Sequence, residues 1–352
     1  MKRICGVLAL LFLCSLLGGC GFWMDGEYVS VKPHMEQTLQ DGDEVIEVST
    51  YVQLRTALCD LVDNGAQSGI MSASSFNDGT MHYYVDTAID YVAKLTPIGA
   101  YAVDEISYEI GTNRGVSVIA FDISYRHERS EILRIQKAAG VEDAKALIED
   151  SLNNCDSSVL IHIDNYEVMD FEQVVIDYSY NNPDMVMEIP TVKAAVYPEE
   201  GSQRLVELNL TYQTSRDRLR QMQEQVASVF TSAELYVKET VQVRDVYSRL
   251  YSFLMERNEY TIQSSITPAY SLLHHGVGDS RAFANVYAAM CRKAGLDCTV
   301  IAGTKDGEPW CWNLVRFRGE YFHVDILSGS FQMLRDNELT GYVWDYSAYA
   351  KN

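Results

Sequence analysis

The 352-residue chain is poor in basic residues, and this shortage excludes several classes of function. It has 28 Lys and Arg against 49 Asp and Glu, which gives a formal net charge of −21. A protein this acidic repels phosphate backbones and anionic bilayers, so nucleic-acid binding and charge-driven membrane adhesion are excluded. Binding of basic peptides or metal cations is compatible with the charge, although acidity of this kind most often serves solubility.

Cysteine and histidine are also scarce, and their spacing predicts no metal site. Three of the 8 cysteines lie within the first 20 residues. The other cysteines are odd in number and contain no CxxC pair, so neither a zinc site nor a complete disulfide framework is predicted. The sequence leaves open whether two of them form a single disulfide. These cysteines are Cys59, Cys155, Cys291, Cys298 and Cys311. His82, His127 and His162 are isolated, and we expect no metal and no cofactor.

The N-terminus carries an apolar run that is shorter than a typical membrane-spanning helix. Basic residues precede an apolar segment from Ile4 to Leu17, and Leu-Gly-Gly-Cys ends at Cys20. This pattern resembles the lipobox of bacterial lipoproteins. The resemblance implies a signal peptide over residues 1–19, a lipid anchor on Cys20 that holds the protein to a bacterial membrane, and a tether over residues 20–44. The expected location is extracytoplasmic, on the outer face of the cell membrane if the host has one membrane. An ordinary signal peptide with a chance cysteine is the alternative.

An internal duplication with an offset of about 87 to 89 residues follows the tether. A segment beginning at Asn64 parallels one beginning at Asn153. Other apolar and aromatic positions recur in the same spacing, with Ile119, Phe121, Ile123, Tyr125, Ile132, Ile135 and Ala139 matched by Val206, Leu208, Leu210, Tyr212, Leu219, Met222 and Val226. We predict two α+β modules over residues 45–139 and 140–230. Each has the order helix, strand, helix, two strands, helix.

A third pattern occupies the C-terminal third of the chain. A glycine-rich turn leads to Ser280, and a segment with helical spacing follows. A predicted strand then carries Trp310-Cys311-Trp312, and the next strand ends at Asp325. The passage resembles the bacterial branch of the transglutaminase-like superfamily. The resemblance implies an α+β, cysteine-proteinase-like domain over residues 235–352. In that family Ser280 would be the catalytic cysteine, Trp310 the histidine, and Asp325 the aspartate.

Two of these three positions are substituted, and the substitutions predict a loss of catalysis. A serine hydroxyl needs a general base, whereas the indole of Trp310 offers only an N–H donor. We interpret Ser280 as the N-cap of its helix. His323, two residues before Asp325, and His274 and His275, in the turn before Ser280, are alternative bases, and for His323 a packing role is favoured.

Two hypotheses of function follow, and a third stays open. In the first, the domain is inactive and binds a peptide or a cell-wall stem through Trp310, Trp312 and His323, with the two indoles on one face of a strand. Trp310 could instead simply fill the cleft. In the second, the protein is an active hydrolase or transamidase that uses Ser280 or a displaced base such as His323. In the third, the duplicated modules bind the ligand and the C-terminal domain is a scaffold.

Overall fold

A computed structural model describes residues 45–113, 115–261 and 268–349. The predicted signal peptide, the lipidation of Cys20 and the tether lie outside the described residues. Helices and strands alternate through the described chain, so the predicted α+β class is confirmed. None of the described helices is both long enough and apolar enough to cross a membrane.

The first module is a four-stranded sheet covered by helices. Its strand order is β1-β2-β4-β3, with β1 parallel to β2 and the other pairs antiparallel. Helix α1 begins at the cap Thr50, whose side chain accepts from the Gln53 N–H. The elements are β1 (Val45–Ile46), α1 (Tyr51–Asp63), β2 (Ser68–Ser72), α2 (Asp78–Leu95), α3 (Pro97–Ala102), β3 (Val103–Asn113), β4 (Val116–Tyr125) and α4 (Arg129–Ile132).

The second module repeats this topology strand for strand. Its sheet has the order β5-β6-β8-β7, and again the first pair is parallel while the others are antiparallel. The elements are β5 (Gln136–Ala138), α5 (Val141–Asn153), β6 (Ser158–Ile163), α6 (Phe171–Asn181), β7 (Thr191–Tyr197), β8 (Arg204–Thr211) and α7 (Arg216–Val237).

Matching hydrogen bonds show which residues of the two modules are equivalent. The Arg129 guanidinium donates to the Asn64 carbonyl at 3.0 Å, and the Arg216 guanidinium donates to the Asn154 carbonyl at 3.1 Å. Both asparagines cap the C-terminus of a helix. The equivalent of Asn64 is therefore Asn154, and the match to Asn153 was wrong by one residue.

Two elements cross the predicted bounds of the second module. Strand β5 precedes residue 140, yet it pairs with β6 in the second sheet. Helix α4 has 4 residues whereas α7 has 22, so the apolar positions Ile135 and Ala139 lie outside any helix and the duplication stops there. Buried residues of α7 from Leu219 to Val237 pack in the core of the C-terminal domain.

The C-terminal domain packs helices against an antiparallel sheet. The sheet order is β13-β12-β11-β14, and β9 and β10 form a separate parallel pair. Helix α10 is buried along most of its length between this sheet and α8. The elements are α8 (Val243–Met255), β9 (Glu259–Tyr260), α9 (Pro268–His275), β10 (Val277–Gly278), α10 (Ser280–Lys293), β11 (Cys298–Lys305), β12 (Glu308–Phe317), β13 (Glu320–Val324), β14 (Tyr342–Trp344) and α11 (Tyr346–Tyr349).

The second module contacts α10 directly, close to the candidate site. The Arg281 guanidinium lies 4.7 Å from the ring centre of Tyr180. At the other end of α10, the Lys293 ammonium lies 2.8 Å from the Asp184 carboxylate. These contacts hold both ends of α10 against the module.

Candidate functional site

Ser280 is the first residue of α10, and its hydroxyl has a backbone partner. The cap of the helix is Asp279, whose carboxylate accepts from the Ala282 N–H at 2.8 Å, so the interpretation of Ser280 as the N-cap was wrong by one residue. The Ser280 Oγ accepts from the Cys311 N–H at 3.2 Å. Within the described residues no histidine hydrogen-bonds to Ser280. The described hydrogen-bond partner of this hydroxyl is therefore a backbone amide.

The two faces of β12 divide the site. Asn313 donates to the Ala284 carbonyl of α10 at 2.9 Å, so Cys311 and Asn313 face the helix. Side chains alternate along a strand, which places Trp310 and Trp312 on the opposite face. Ser280 thus meets the backbone of the strand, whereas the indole of Trp310 turns to the far side.

Asp325 lies at the end of β13, where three side chains converge on one of its carboxylate oxygens. The Lys305 ammonium is 2.7 Å from Asp325 Oδ2, the Tyr342 hydroxyl donates to it at 2.6 Å, and the Trp310 indole N–H donates at 3.2 Å. The other oxygen accepts from the Leu327 N–H at 2.9 Å. We call Lys305, Trp310, Asp325 and Tyr342 the Asp325 cluster.

In the Asp325 cluster, the charge of Asp325 is balanced by Lys305, and both of its carboxylate oxygens accept hydrogen bonds. Burial lowers the pKa of Lys305, but hydrogen bonds to Asp325 and Tyr342 outweigh it and leave that pKa above its ordinary 10.5. Burial, together with the hydrogen bond to Asp325, raises the pKa of Tyr342 to about 12. Lys305 is therefore an ammonium and Tyr342 a phenol at neutral pH, and neither can act as a base.

His323 is buried and belongs to a different chain of hydrogen bonds. The Trp312 indole N–H donates to His323 Nδ1 at 2.9 Å, which assigns the ring proton to Nε2, and Nε2 lies 3.0 Å from Asp336. Burial lowers the pKa of His323, although Asp336 acts in the opposite direction. The neutral imidazole thus orients Trp312 and Asp336, and does not face Ser280.

The other two alternative bases, His274 and His275, contact residues of their own helix and not Ser280. His274 and His275 lie in the last turn of α9 rather than in the following turn. His274 stacks on Tyr270 with ring centres 5.1 Å apart, and His275 packs edge-on against His274. Both rings are engaged on the surface of α9.

The predicted aromatic surface is wrong for Trp312, because its side chain is fully buried. Trp312 packs against Tyr342 and Trp344, with ring centres 5.1 and 5.8 Å away. Trp310 is half-buried and lies 5.5 Å from the exposed ring of Tyr260 in β9. The exposed aromatic pair is therefore Tyr260 and Trp310.

Sequence reasoning missed Lys305, Tyr342 and Tyr260. Lys305 and Tyr342 are brought together by the pairing of β11 with β14, in which they are direct partners. Neither residue stands in the motif that marked Asp325. An unpaired buried carboxylate is costly, so the prediction of Trp310 and not a histidine beside Asp325 was itself a reason to look for a cation.

The comparisons with known proteins concern this domain. The family model described as the transglutaminase-like superfamily matches residues 231–326. This segment is a transglutaminase-like domain. The match begins within α7 and ends directly after Asp325, whereas the sheet of the transglutaminase-like domain continues to β14. No curated protein matches the chain.

The chain is also similar to solved structures, all at low identity. One is a transglutaminase with 12% identity and a TM-score of 0.28, covering 55% of this chain and 59% of that chain. A candidate cysteine protease from Cytophaga hutchinsonii has 12% identity and a TM-score of 0.28, covering 44% and 65%. A candidate protease from Parabacteroides distasonis has 9% identity and a TM-score of 0.24, covering 73% and 39%. The chain thus spans less than two thirds of each, and these TM-scores support no inference about activity.

Proposed function

We propose that this protein is a lipid-anchored extracytoplasmic binding protein whose transglutaminase-like domain holds a peptide or a cell-wall stem without catalysing its transfer. The observation that carries the proposal is the state of Asp325. Its carboxylate contacts an ammonium, an indole and a phenol, where catalysis by this type of triad needs an imidazole. The lipobox at Cys20 supports the anchoring.

Proton transfer is the step that the site cannot perform. Attack by the Ser280 hydroxyl requires an acceptor for its proton within hydrogen-bond reach. The Ser280 Oγ is itself accepting a hydrogen bond from the Cys311 N–H. Lys305 is protonated, and both ring nitrogens of His323 are engaged with Trp312 and Asp336.

Binding is supported by the exposed aromatic pair. Tyr260 and Trp310 lie side by side, and β9 pairs with β10 immediately before α10. The Lys305 ammonium lies over the Trp310 ring, 5.1 Å from its centre, and stabilises the position of the indole. A rigid aromatic pair of this kind suits apolar or planar groups of an extended peptide.

Turnover measurements test the absence of catalysis. The purified chain and Ser280→Ala are incubated with glutamine peptides and cell-wall stem peptides, with and without an acceptor amine. We expect no ammonia release, no amine incorporation and no hydrolysis in either protein. Turnover that disappears in Ser280→Ala would establish an active hydrolase or transamidase and refute the proposal.

Affinity measurements with the same panel test the binding role. Trp310→Ala should weaken binding of a stem or peptide ligand by about tenfold or more, since a central aromatic contact contributes over 1 kcal/mol. The matched control is Tyr83→Ala, which removes an exposed aromatic ring from the first module. Equal losses in both variants, or no ligand in the panel, would count against this site.

The anchor is tested separately, by phase partitioning of the protein expressed in a bacterial host. The unaltered chain should enter the detergent phase and incorporate labelled palmitate. Cys20→Ser should stay in the aqueous phase without label. Identical partitioning of the two proteins would remove the anchor from the proposal and leave the binding role untouched.

A further inference from the structure

A cavity lies on the same sheet face as the Asp325 cluster, beyond the buried Trp312. Its volume is about 140 Å³, enough for a small head group. Its polar and aromatic lining consists of Tyr321, His323, Asp336, Trp344, Tyr346 and Tyr349. We call this group the aromatic cavity. No residue of the transglutaminase-like motif except the neighbour His323 belongs to it.

The carboxylate of the aromatic cavity has only neutral partners. Asp336 accepts from His323 Nε2 at 3.0 Å and from the Tyr346 hydroxyl. The imidazole is neutral because burial lowers its pKa. Across the described ranges no Lys or Arg forms an ion pair with Asp336. About half of the Asp336 side chain is exposed, so a negative charge without a counter-ion faces the opening.

The rings beside Asp336 are held in place by the domain core. Trp344 packs edge-on against the buried Trp312 at 5.8 Å, and its ring centre is 4.9 Å from that of His323. Tyr346 lies 6.4 Å from Trp344, and the Tyr349 hydroxyl accepts from the Ala302 N–H at 3.1 Å. Ring faces carry negative potential, so several rings around a carboxylate attract a cation.

We propose that the aromatic cavity binds a small organic cation, namely an ammonium group that carries alkyl substituents. Alkyl groups fill a space lined by rings and by Ile301 and Leu314, while the charge is balanced by Asp336. A metal ion fits less well, because no group of three or more His, Cys, Asp or Glu gathers in the part of the chain that is described. The acidic charge of the whole protein raises the local concentration of cations.

The test compares a cation with its neutral twin. Choline and 3,3-dimethyl-1-butanol have the same shape and differ in the charge of one central atom. Both are titrated into the full chain by calorimetry and by tryptophan fluorescence, together with glucose as a neutral sugar. Choline should bind at least about tenfold more tightly than the alcohol, which corresponds to about 1.4 kcal/mol.

Matched variants assign the binding to this cavity. Asp336→Asn should weaken choline binding by about tenfold, and Tyr346→Leu should weaken it severalfold by removing a ring that is 62% exposed. Tyr346→Phe keeps the ring and should bind within about threefold of the unaltered chain. Asp345→Asn is the charge control, since exposed Asp345 bonds to Ser347 and does not line the cavity. Thermal unfolding of each variant confirms that it is folded.

Several outcomes would overturn the assignment. They are equal affinity for choline and the alcohol, binding of glucose alone, no binding at all, or choline affinity that Asp336→Asn and Tyr346→Leu leave unchanged. None of these outcomes bears on the Tyr260 and Trp310 pair. The experiments therefore test cation binding in the aromatic cavity independently of the proposed function.

Discussion

The Asp325 cluster and the aromatic cavity are built around carboxylates on one face of one sheet, and they treat those carboxylates in opposite ways. Asp325 has a side chain that is 4% exposed, and it is neutralised by Lys305. Asp336 is 47% exposed, and its donors are uncharged. Asp325, which the family motif marks, is thus paired with a cation of the same domain. Asp336, which lies outside the motif, has only uncharged hydrogen-bond donors.

The difference shows how the structure supplies partners to a buried carboxylate at the position that the family resemblance marks. A carboxylate that is buried without partners leaves an unpaired charge in the protein interior, which is strongly unfavourable. Lys305, Trp310 and Tyr342 together are the side-chain partners of Asp325. We therefore expect removal of these partners to destabilise the domain.

The largest expected effect comes from removing the cation of the Asp325 cluster. Lys305→Met leaves Asp325 buried without a counter-charge and should lower the free energy of unfolding by about 3 kcal/mol, measured by urea denaturation. The control is Lys94→Met, which breaks an exposed pair with Asp90 and should cost less than about 0.5 kcal/mol. Similar costs in the two variants would mean that Asp325 does not need its cation.

A smaller effect is expected from Tyr342→Phe, which removes one neutral donor to Asp325. At pH 7 the loss should be about 1–2 kcal/mol in the free energy of unfolding, against almost none for the exposed Tyr83→Phe. Because folding raises the pKa of Tyr342 to about 12 from an ordinary 10, its contribution is complete below pH 10 and is lost as pH rises toward 12. The difference between the unaltered chain and Tyr342→Phe should shrink over that range. A difference that stays constant with pH would contradict the assignment.

The smallest effect on stability is expected from Asp336→Asn, in contrast to its effect on choline binding. An exposed carboxylate with neutral donors contributes little to folding, so the cost should stay below about 1 kcal/mol in the same denaturation experiment. A cost as large as that of Lys305→Met would show instead that Asp336 holds His323 in place. Both carboxylates would then contribute to the stability of the domain, and the difference between them proposed above would be wrong.

Local patterns predicted most of the regular elements. Period-two alternation marked the strands now seen as Val116–Tyr125 and Arg204–Thr211, and helical spacing marked the helix Ser280–Lys293. The two-residue and three-residue strands β1 and β5 carry no readable period, because they are too short for alternation to show. The different lengths of α4 and α7 depend on packing against another domain, which no local pattern records.

The site was predictable only at the positions that the family resemblance marks. Trp310 and Asp325 were singled out by the motif, and the structure joins them by a hydrogen bond. The partners Lys305 and Tyr342 are 37 positions apart and meet only through the register of β11 and β14. The burial of Trp312 follows from Trp344 and Tyr342, which arrive from the same short strand.

Helix α7 has a consequence for dividing the molecule into fragments. Its 22 residues extend for about 33 Å without interruption, from the Arg216 contact with the second module to Val237 in the core of the transglutaminase-like domain. A cut at residue 231 would strip Leu219, Met222 and Val226 from that core and expose apolar surface. The smallest unit that can be expected to fold as the transglutaminase-like domain starts at the beginning of α7. The second module and the transglutaminase-like domain thus share one continuous helix, and neither can be cut free without breaking it.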